Sequence, residues 1–576
     1  MEVHSKSGVP PFYNYRMEMK KILLLAILIS TYLTLAASER TDQEMRRIAE
    51  KQLRQLKGGT TRSGGYNVEK IIDATSYCIY ATHNSYAIVS KDTRNIPILG
   101  YSDTPYDEAR IPCGMRWWLN AINSTLEGSA IQTTTRGGSN AVEPLLTTEW
   151  GQGEPFNLLC PTLDGKKTPS GCVATAMSQI LYYFKYPETG KGTSSYTVLG
   201  GFRPWSVRYG VTYRYDIMKN KYDATTLENL TDEEKEAIST LLLHCGAAVK
   251  MNYNADGSGA TEYDATDGMT TFFRYDSLAL HCYRREHFTN AEWMTLLKEE
   301  LAANHPILYC GQDTRYGGHA FVVDGINAEG LVHVNWGWDG DCNGYYAIDG
   351  LTPKRTVGFA HGYNFSSGQS MIVGYKLQEK PDAEDAYTSL WASEKPYKLT
   401  ISSKSFVIKN LGGFYNYSWL PFDGTIALIF EEDKENGQQY KVTLDEDRFE
   451  DYQGIRFWGW GSDELDQIPF ARVNSIEMPA GSYKVFLGSK DVKEQRFQPF
   501  RCGENTGKMY YAVVKGSDGS YTVDANPKQY TTNIRPVITN RQPNLYIYDL
   551  QGRPRGTNPS ALPRGIYIIN GKKVVK

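Results

Sequence analysis

The chain has 576 residues and a formal net charge of −3, with 41 % hydrophobic and 22 % charged residues. This length exceeds what a single hydrophobic core organises, so we predict several domains. Charges of both signs are mixed and no basic stripe is present, so we expect no nucleic-acid partner.

The N-terminus has the pattern of an export signal. Residues 22–37 are mostly apolar, follow two lysines and end in small residues, which predicts a signal peptide over 1–37. A membrane anchor is the weaker alternative, because a spanning helix needs about 20 apolar residues. Residues 1–18 fit no part of a signal, and we interpret them as a start-site artefact ahead of Met19.

Residues 38–140 have the pattern of a separate α+β unit. Its predicted elements are a helix over 41–57, strands over 86–89 and 96–99, and a helix over 115–126. The polar segment 133–142 contains Arg136-Gly137-Gly138, so we predict that it is exposed and suited to proteolytic cleavage. A plain linker between two domains is a compatible alternative.

A single cysteine stands at the start of an amphipathic helix. Apolar residues recur at spacings of three and four between Val173 and Phe184, which predicts a helix with one buried face. Cys172 then lies at the helix N-terminus, where unpaired N–H groups and the dipole favour an anion. We therefore expect the pKa of its thiol to lie below its ordinary value, and Cys172 is a candidate nucleophile.

A candidate base precedes a second apolar segment. Two glycines come before His319 and permit close approach of a substrate backbone. Residues 320–323 are predicted to form a buried strand, and a second strand over 331–336 follows after a short connection. We therefore expect an antiparallel pair that holds the imidazole rigidly.

Side chains near the end of this second strand are candidates to position the imidazole. We expect the indole of Trp336 or Trp338 to stack on His319, and Asn335 to fix its tautomer through a hydrogen bond. Upstream, Gln152 lies between two glycines. Its side-chain amide and the backbone N–H of the candidate nucleophile would form a two-donor oxyanion hole.

Four motifs occur in a fixed order along the chain. They are Gly-Gln-Gly-Glu-Pro-Phe-Asn from 151, Gly-Cys-Val-Ala-Thr-Ala from 171, Gly-Gly-His-Ala-Phe-Val-Val-Asp-Gly from 317 and His-Val-Asn-Trp-Gly-Trp from 333. Together they resemble the successive signatures of the streptopain family of cysteine peptidases. The papain-type surround of the nucleophile, with a second cysteine and a following aromatic residue, is absent, so the resemblance is to the streptopain branch.

The resemblance implies an α+β fold class, with a papain-like catalytic domain over 141–380 preceded by an inhibitory α+β pro-domain over 38–140. It implies no metal or other cofactor. The site residues that we carry over to this sequence are Cys172 as nucleophile, His319 as general base and acid, Gln152 in the oxyanion hole, Asn335 and Trp336 beside the imidazole, and Ser258, Gly259, Gly318 and Trp338 at the substrate.

The sequence gives no support for a calcium loop or a zinc site and leaves disulfides open. Asp256 and Asp264 lack the ligand spacing of a calcium loop. The eight cysteines besides Cys172 are an even number, which permits disulfides without establishing them, and no Cys-x-x-Cys zinc motif occurs.

Beyond Pro381 the pattern changes to short alternating segments. Strands predicted at 405–408, 424–430, 439–444 and 482–487, separated by turn residues, indicate a β-sandwich over 381–505. Residues 506–576 resemble the C-terminal sorting domain of type IX secretion cargo, through Tyr-Asp-Leu-Gln-Gly from 548, Gly-Ile-Tyr-Ile-Ile from 565 and Lys-Lys-Val-Val-Lys from 572. The alternative is that these are simply closing strands.

Three functions remain open at this point. The first is a secreted cysteine endopeptidase, made as a zymogen, with protein substrates, its own pro-domain as inhibitor, and export through the periplasm and outer-membrane secretion machinery. The second is a transpeptidase or amidase with the same dyad, since both reactions share a thioester. The third is a catalytically silent surface adhesin, which the intact Cys172, His319 and Gln152 disfavour.

Overall fold

The computed structural model describes most of the chain from residue 39 onward. The described residues are 39–56, 68–126, 141–163, 165–198, 205–277, 279–313, 317–348, 369–375, 391–393, 395–402, 405–409, 414–416, 422–449, 456–458, 471–474, 476–492, 494–530, 547–549, 566–569 and 572–575. The predicted signal peptide and residues 133–140 of the predicted cleavage segment lie outside them. No described helix is long and apolar enough to cross a membrane.

Most of the helices begin after a residue whose side chain accepts a hydrogen bond from a free backbone N–H, whereas the helix that begins at Cys172 follows Gly171, which has no side-chain cap. The helices are α1 (Asp42–Leu56), α2 (Cys113–Leu126), α3 (Cys172–Phe184), α4 (Ala224–Glu228), α5 (Asp232–Ala248), α6 (Glu262–Phe272) and α7 (Asn290–Ala302). Thr231 and Thr289 form capping boxes with the glutamate three residues later, at the starts of α5 and α7. The helices predicted over 41–57, over 115–126 and after Cys172 are confirmed within a few residues.

The strands of the N-terminal two thirds of the chain form one large sheet and two small hairpins. They are β1 (Glu69–Asp73), β2 (Tyr77–Ala81), β3 (Tyr86–Ser90), β4 (Ile98–Ser102), β5 (Thr162–Leu163), β6 (Lys166–Lys167), β7 (Thr193–Tyr196), β8 (Trp205–Arg208), β9 (His281–Arg284), β10 (Ile307–Asp313), β11 (Gly317–Ile326), β12 (Val332–Asn335), β13 (Gly344–Tyr346) and β14 (Ser370–Val373). The large sheet has the order β1-β2-β3-β4-β13-β12-β11-β10-β14-β9. The predicted antiparallel pair after His319 is β11 with β12.

The predicted pro-domain contributes four strands to this same sheet. Its last strand, β4, pairs antiparallel with β13, with Tyr101 opposite Tyr345. Helix α2 packs across β10 and β11, and the indole N–H of Trp118 donates to the carbonyl of Ala347 at 2.7 Å. The segment upstream of residue 127 is therefore packed into the core of the sheet that carries His319.

The two faces of the large sheet carry different helices. Ala320 and Val322 on β11 belong to a buried cluster with α3, α5 and α6. The alternate residues Phe321 and Val323 belong to a cluster with α2 and α7. Because successive strand residues point to opposite faces, β11 is buried on both sides, as its continuous apolar run predicts.

The C-terminal third of the described chain is almost entirely strand. The strands are β15 (Trp391–Ser393), β16 (Lys398–Ser402), β17 (Ser405–Lys409), β18 (Phe414–Asn416), β19 (Phe422–Glu432), β20 (Gln439–Phe449), β21 (Arg456–Trp458), β22 (Ala471–Asn474), β23 (Gly481–Asp491), β24 (Gln498–Pro499), β25 (Arg501–Cys502), β26 (Gly507–Lys515), β27 (Tyr521–Val523), β28 (Lys528–Gln529), β29 (Ile547–Asp549), β30 (Ile566–Ile569) and β31 (Lys572–Val575). The four strands predicted there from alternation are confirmed, each slightly longer than predicted.

These C-terminal strands form three sheets. The largest has the order β20-β19-β23-β26-β25-β15-β18-β21, and β16-β17-β22 and β29-β30-β31 form two smaller ones. Phe406 and Ile408 on β17 share a buried cluster with Leu428 on β19 and Val485 on β23, so two of the sheets enclose one core. The whole molecule is of mixed α/β class.

Candidate active site

Cys172 is the first residue of α3, as the sequence predicts. The residue before it, Gly171, has φ +91°, and a side chain there would meet the Met251 methyl at 2.7 Å and the Ser258 carbonyl oxygen at 3.0 Å. Only glycine tolerates this conformation and this close approach without strain. The thiol is thereby fixed at the point where the loop ends and the helix begins.

The pKa of the Cys172 thiol differs from the sequence prediction. Burial raises it above its ordinary value, although the backbone N–H groups of Ala320, Val173 and Cys172 itself act to lower it. The prediction of a lowered pKa is wrong for this structure, because the desolvation of the thiolate outweighs the N–H groups of the helix terminus.

His319 lies on β11, directly opposite Gly311 on β10. A side chain on Gly311 would collide with the indole of Trp117, whose nearest atom lies at 2.4 Å. Paired residues of an antiparallel ladder project to the same face, so His319 projects on the face where Trp117 of α2 packs. The Cys172 sulfur accepts its hydrogen bond from the Ala320 N–H at 3.4 Å and makes none with the imidazole.

Cys172 and His319 nevertheless line the same cavity. Its volume is about 380 Å³, and the candidate substrate residues Gly259 and Gly318 also lie in its wall. A side chain added to Gly259 would meet nothing within 4 Å, so the wall there is open backbone. The structure thus brings together four of the residues that the sequence indicates.

The backbone of Gln152 contacts the segment that precedes the nucleophile, and Gln152 is not among the residues that line the cavity. Its carbonyl accepts a hydrogen bond from the Ser170 N–H at 3.0 Å, two residues before Cys172. The side chain is partly exposed. The loop that carries Gln152 is therefore hydrogen-bonded to the loop segment that leads into α3.

Asn335 does not make the predicted hydrogen bond to His319. Its amide nitrogen donates to the Thr148 carbonyl at 2.6 Å, and its oxygen accepts from Gln179 at 3.3 Å and from the Gly337 N–H at 3.0 Å. The Thr148 hydroxyl donates to Gln179 at 2.6 Å, so that Thr148, Gln179 and Asn335 form one buried hydrogen-bond network. Both polar atoms of the Asn335 side chain are hydrogen-bonded in this network, which connects β12 with α3.

The contacts of Trp336 are with core residues. The indole is 3 % exposed, lies 4.8 Å from the Phe321 ring between centroids, and donates to the Cys342 carbonyl at 3.0 Å. The indole therefore lies in the core on the α2 face, and Trp338 is partly exposed. The stacking of a tryptophan on the imidazole stays a prediction.

Ser258 lies in the loop before α6 and is buried. Its hydroxyl lies 3.5 Å from the Asn254 carbonyl, and its own carbonyl oxygen faces Gly171. Next to it, Gly259 pairs with Asn252 through two backbone hydrogen bonds. The loop is therefore an ordered hairpin-like turn that places Gly259, and not the Ser258 side chain, at the cavity.

Sequence reasoning did not identify several residues that complete the site. Glu262, Arg284 and Gln369 line the cavity, and Gln179 holds Asn335. Gln179 was detectable as a polar residue within the apolar face of α3. The other three come from separate elements, α6, β9 and the start of β14, which only the folded chain brings together.

The cysteines and the acidic residues show no metal chemistry in the described part of the chain. No group of three or more His, Cys, Asp or Glu residues is placed there to hold a metal ion. All nine cysteines are free thiols, so the disulfides that their even number permitted are not formed.

A thiol at a helix N-terminus and an imidazole on the adjacent strand, in one cavity, are the groups that a cysteine hydrolase uses as nucleophile and base. Residues 150–346, about a third of the chain, match the model of the Peptidase C10 family, and the similarity to thiol proteases supports a cysteine-type peptidase.

Two curated relatives show the extent of the similarity. The chain is 30 % identical over 317 residues to the thiol protease/hemagglutinin PrtT of Porphyromonas gingivalis, which covers 50 % of this chain and 36 % of PrtT. It is 29 % identical over 324 residues to streptopain of Streptococcus pyogenes, covering 52 % of this chain and 80 % of streptopain. The chain thus spans about a third of the length of PrtT.

Two solved structures from Prevotella intermedia are also similar. A fragment of prointerpain A is 34 % identical, with a TM-score of 0.48, and the match covers 55 % of this chain and 99 % of the fragment. Active interpain A is 39 % identical, with a TM-score of 0.36, covering 41 % of this chain and 95 % of that enzyme.

Proposed function

We propose that the whole protein is a cysteine endopeptidase made as a zymogen, with Cys172 as nucleophile and His319 as general base and acid. The observation that carries this proposal is the common cavity of Cys172 and His319, within the segment that matches the Peptidase C10 family. A silent adhesin would have no need of a thiol and an imidazole in one open cavity.

The reaction begins with the Cys172 thiol, whose proton passes to the imidazole of His319. The resulting thiolate attacks the carbonyl carbon of the scissile peptide bond, so that an oxyanion forms. The imidazolium then donates its proton to the leaving amine and a thioester remains. Water, deprotonated by the imidazole, hydrolyses the thioester and regenerates the thiol.

Gln152 is proposed to stabilise the oxyanion together with the Cys172 backbone N–H. Its position supports this role, because the Gln152 carbonyl is held by the Ser170 N–H just before α3. The side-chain amide would meet charge that develops only in the transition state, so it should act on turnover more than on binding. Asn335 and Trp336 are proposed to act as positioning residues that fix the end of β12.

The proposed zymogen form is supported by the packing of the N-terminal segment. Trp117 of α2 fills the space beside Gly311, on the face where His319 projects. At the same time the Cys172 sulfur accepts a hydrogen bond from the Ala320 N–H and makes none with the imidazole. We infer that α2 stabilises an arrangement in which the proton transfer between Cys172 and His319 is not yet aligned.

The remaining segments are proposed to serve export. Residues 1–37 would act as a signal peptide, residues 381–505 as an accessory β-sandwich, and residues 506–576 as a type IX sorting domain, so that the enzyme acts outside the cell. The C-terminal strands β29, β30 and β31 form a sheet of their own, which supports a separate role.

The test uses the enzyme obtained after maturation, with casein as substrate. We expect Cys172→Ala to abolish proteolysis and the labelling of residue 172 by iodoacetamide, while the melting temperature stays close to that of the parent. Gln152→Ala should keep the labelling and lower kcat by roughly 10²- to 10³-fold. More than trace activity in Cys172→Ala would contradict the proposal. Efficient transfer of the acyl group to an added amine would favour the transpeptidase instead.

A further inference from the structure

One wall of the active-site cavity carries a carboxylate. Glu262 is the first residue of α6, follows the N-cap Thr261, and lines the cavity that also contains Cys172 and His319. The purely structural interpretation is that an acidic residue in the first turn of a helix only complements the helix dipole. The contacts of this carboxylate and of its neighbours separate the two interpretations.

The Glu262 carboxylate has no hydrogen-bond or ion-pair partner within the described part of the chain. The hydrogen bond from the Thr266 hydroxyl is accepted by the Glu262 backbone carbonyl and not by the carboxylate. The other acidic residue of the same helical turn, Asp264, accepts a hydrogen bond from the Thr261 hydroxyl at 2.6 Å. Asp264 therefore serves the helix terminus, whereas Glu262 does not take part in capping.

The basic residue of the cavity is already neutralised. Arg284 lines the cavity, and its guanidinium lies 2.8 Å from the carboxylate of Glu286. Its side chain is 27 % exposed, against 19 % for Glu286. Among the described residues that line the cavity, the charge that lacks a protein partner is therefore negative.

Cys310 also lies in the cavity wall, together with Glu262 and Cys172. Burial raises the pKa of the Cys310 thiol well above its ordinary value, and the negative charges of Glu262 and Cys172 add to that increase. Glu262 and the nucleophile therefore share one cavity wall with Cys310.

Part of the cavity wall offers little side chain. Gly259, Gly311 and Gly318 have none and Ala260 has only a methyl group, and the volume of about 380 Å³ leaves room for a long side chain. Such a wall offers backbone and apolar surface to the methylene stem of a lysine or arginine while the cationic head reaches the carboxylate.

We propose that Glu262 makes this cavity a binding site for a basic side chain of the peptide substrate, so that the enzyme favours cleavage near lysine or arginine. The inference rests on the proposed peptidase function and adds the chemical class of substrate. The ion pair would form in a partly enclosed cavity, where it is worth more than an exposed pair and less than a fully buried one. We expect a preference of roughly tenfold over an uncharged side chain of similar length, weakened by salt.

The experiment compares matched peptides as substrates of the enzyme obtained after maturation. A set of fluorogenic peptides carries lysine or methionine in turn at each position around the cleaved bond, and kcat/KM is measured for each pair. At one position the lysine peptide should be cleaved roughly ten times faster. We expect E262Q to remove this ratio and E262R to reverse it. D264N, which changes the charge of the same helical turn outside the cavity, should keep it.

Three further measurements distinguish a loss of the ion pair from a loss of the fold or of the thiol. The parent ratio measured from low to high salt should fall, which tests the ion pair without any variant. The melting temperature and the rate of iodoacetamide labelling show whether each variant keeps its fold and its thiol. A ratio that is the same in the parent, E262Q and E262R, or a parent enzyme without preference for lysine at any position, would overturn the inference alone. Failure of the parent to cleave any peptide, with Cys172 labelled, would overturn the proposed function and this inference with it.

Discussion

At the scale of single residues, the position of the nucleophile is predictable from sequence and its titration is not. The helix periodicity after Cys172 placed the thiol at the N-terminus of α3, and the structure agrees. The direction of its pKa shift depends on burial by α2, β10 and β11, which come from distant parts of the chain. For the same reason the contacts of Asn335 and Trp336 could not be predicted, because their neighbours in the sequence do not reveal on which face of the sheet each side chain lies.

The raised pKa of Cys172 predicts how the full-length chain reacts with an alkylating reagent. The thiolate is the reactive form, so a pKa above the ordinary value leaves little thiolate at neutral pH, and the labelling rate should rise with pH through and beyond about 8.5. Iodoacetamide labelling followed by mass spectrometry measures this profile, and Cys172→Ala supplies the blank for the other cysteines. Half-maximal labelling of Cys172 below pH 7 in the uncleaved chain would contradict the pKa direction.

At the scale of secondary structure, part of the helices and strands was predictable, and of their pairings only that of β11 with β12. Local sequence patterns identified α1, α2, α3, β11 and four strands of the C-terminal third. Nothing in these local patterns indicated that β4 would pair with β13 and extend the sheet that carries His319. Such pairing joins residues more than two hundred positions apart, and register of this kind is set by packing and not by propensity.

This pairing leads to a prediction about maturation. Val142 exchanges two backbone hydrogen bonds with Ile326 at 2.8 and 2.9 Å, and the Leu146 N–H donates to the buried Asp324 carboxylate at 2.9 Å. Residues from 142 onward are thus attached to β11, so we expect cleavage between the end of α2 and residue 142. N-terminal sequencing of the active enzyme should find a start within 127–142.

Release of the cleaved segment should also lower stability. It would remove the partner of β13 and expose apolar residues that Trp117 and Trp118 cover, both almost fully buried. We expect a lower melting temperature for the mature enzyme than for uncleaved Cys172→Ala. A fully active species that begins upstream of about residue 100 would refute the zymogen model.

At the scale of the whole molecule, the C-terminal strands divide into a part that touches the catalytic domain and a part that does not. Arg501 donates to the His287 carbonyl at 3.2 Å, lies 3.3 Å from Glu292 and stands 3.8 Å over the Phe288 ring. The Asn505 N–H donates to the Glu286 carbonyl at 2.8 Å. These contacts fall on the 3₁₀ turn Arg285–His287, which follows Arg284 of the cavity wall, and on Phe288 and Glu292 just after it.

The last prediction follows from this division. Truncation at about residue 540 removes β29, β30 and β31, which pair only with one another among the described strands, and leaves every contact of Arg501 and Asn505 in place. We therefore expect unchanged peptidase activity and an unchanged melting temperature, because the removed sheet adds nothing to the cavity. If the segment is a sorting domain, the truncated enzyme should remain in the periplasm, which fractionation of the producing cells measures. Arg501→Ala in the full chain is the matched contrast: it should be released normally and melt at a lower temperature, since it loses an ion pair and a cation–π contact worth about 1–3 kcal/mol together. Normal appearance of the truncated enzyme in the culture medium would show that these strands are only a structural end of the fold.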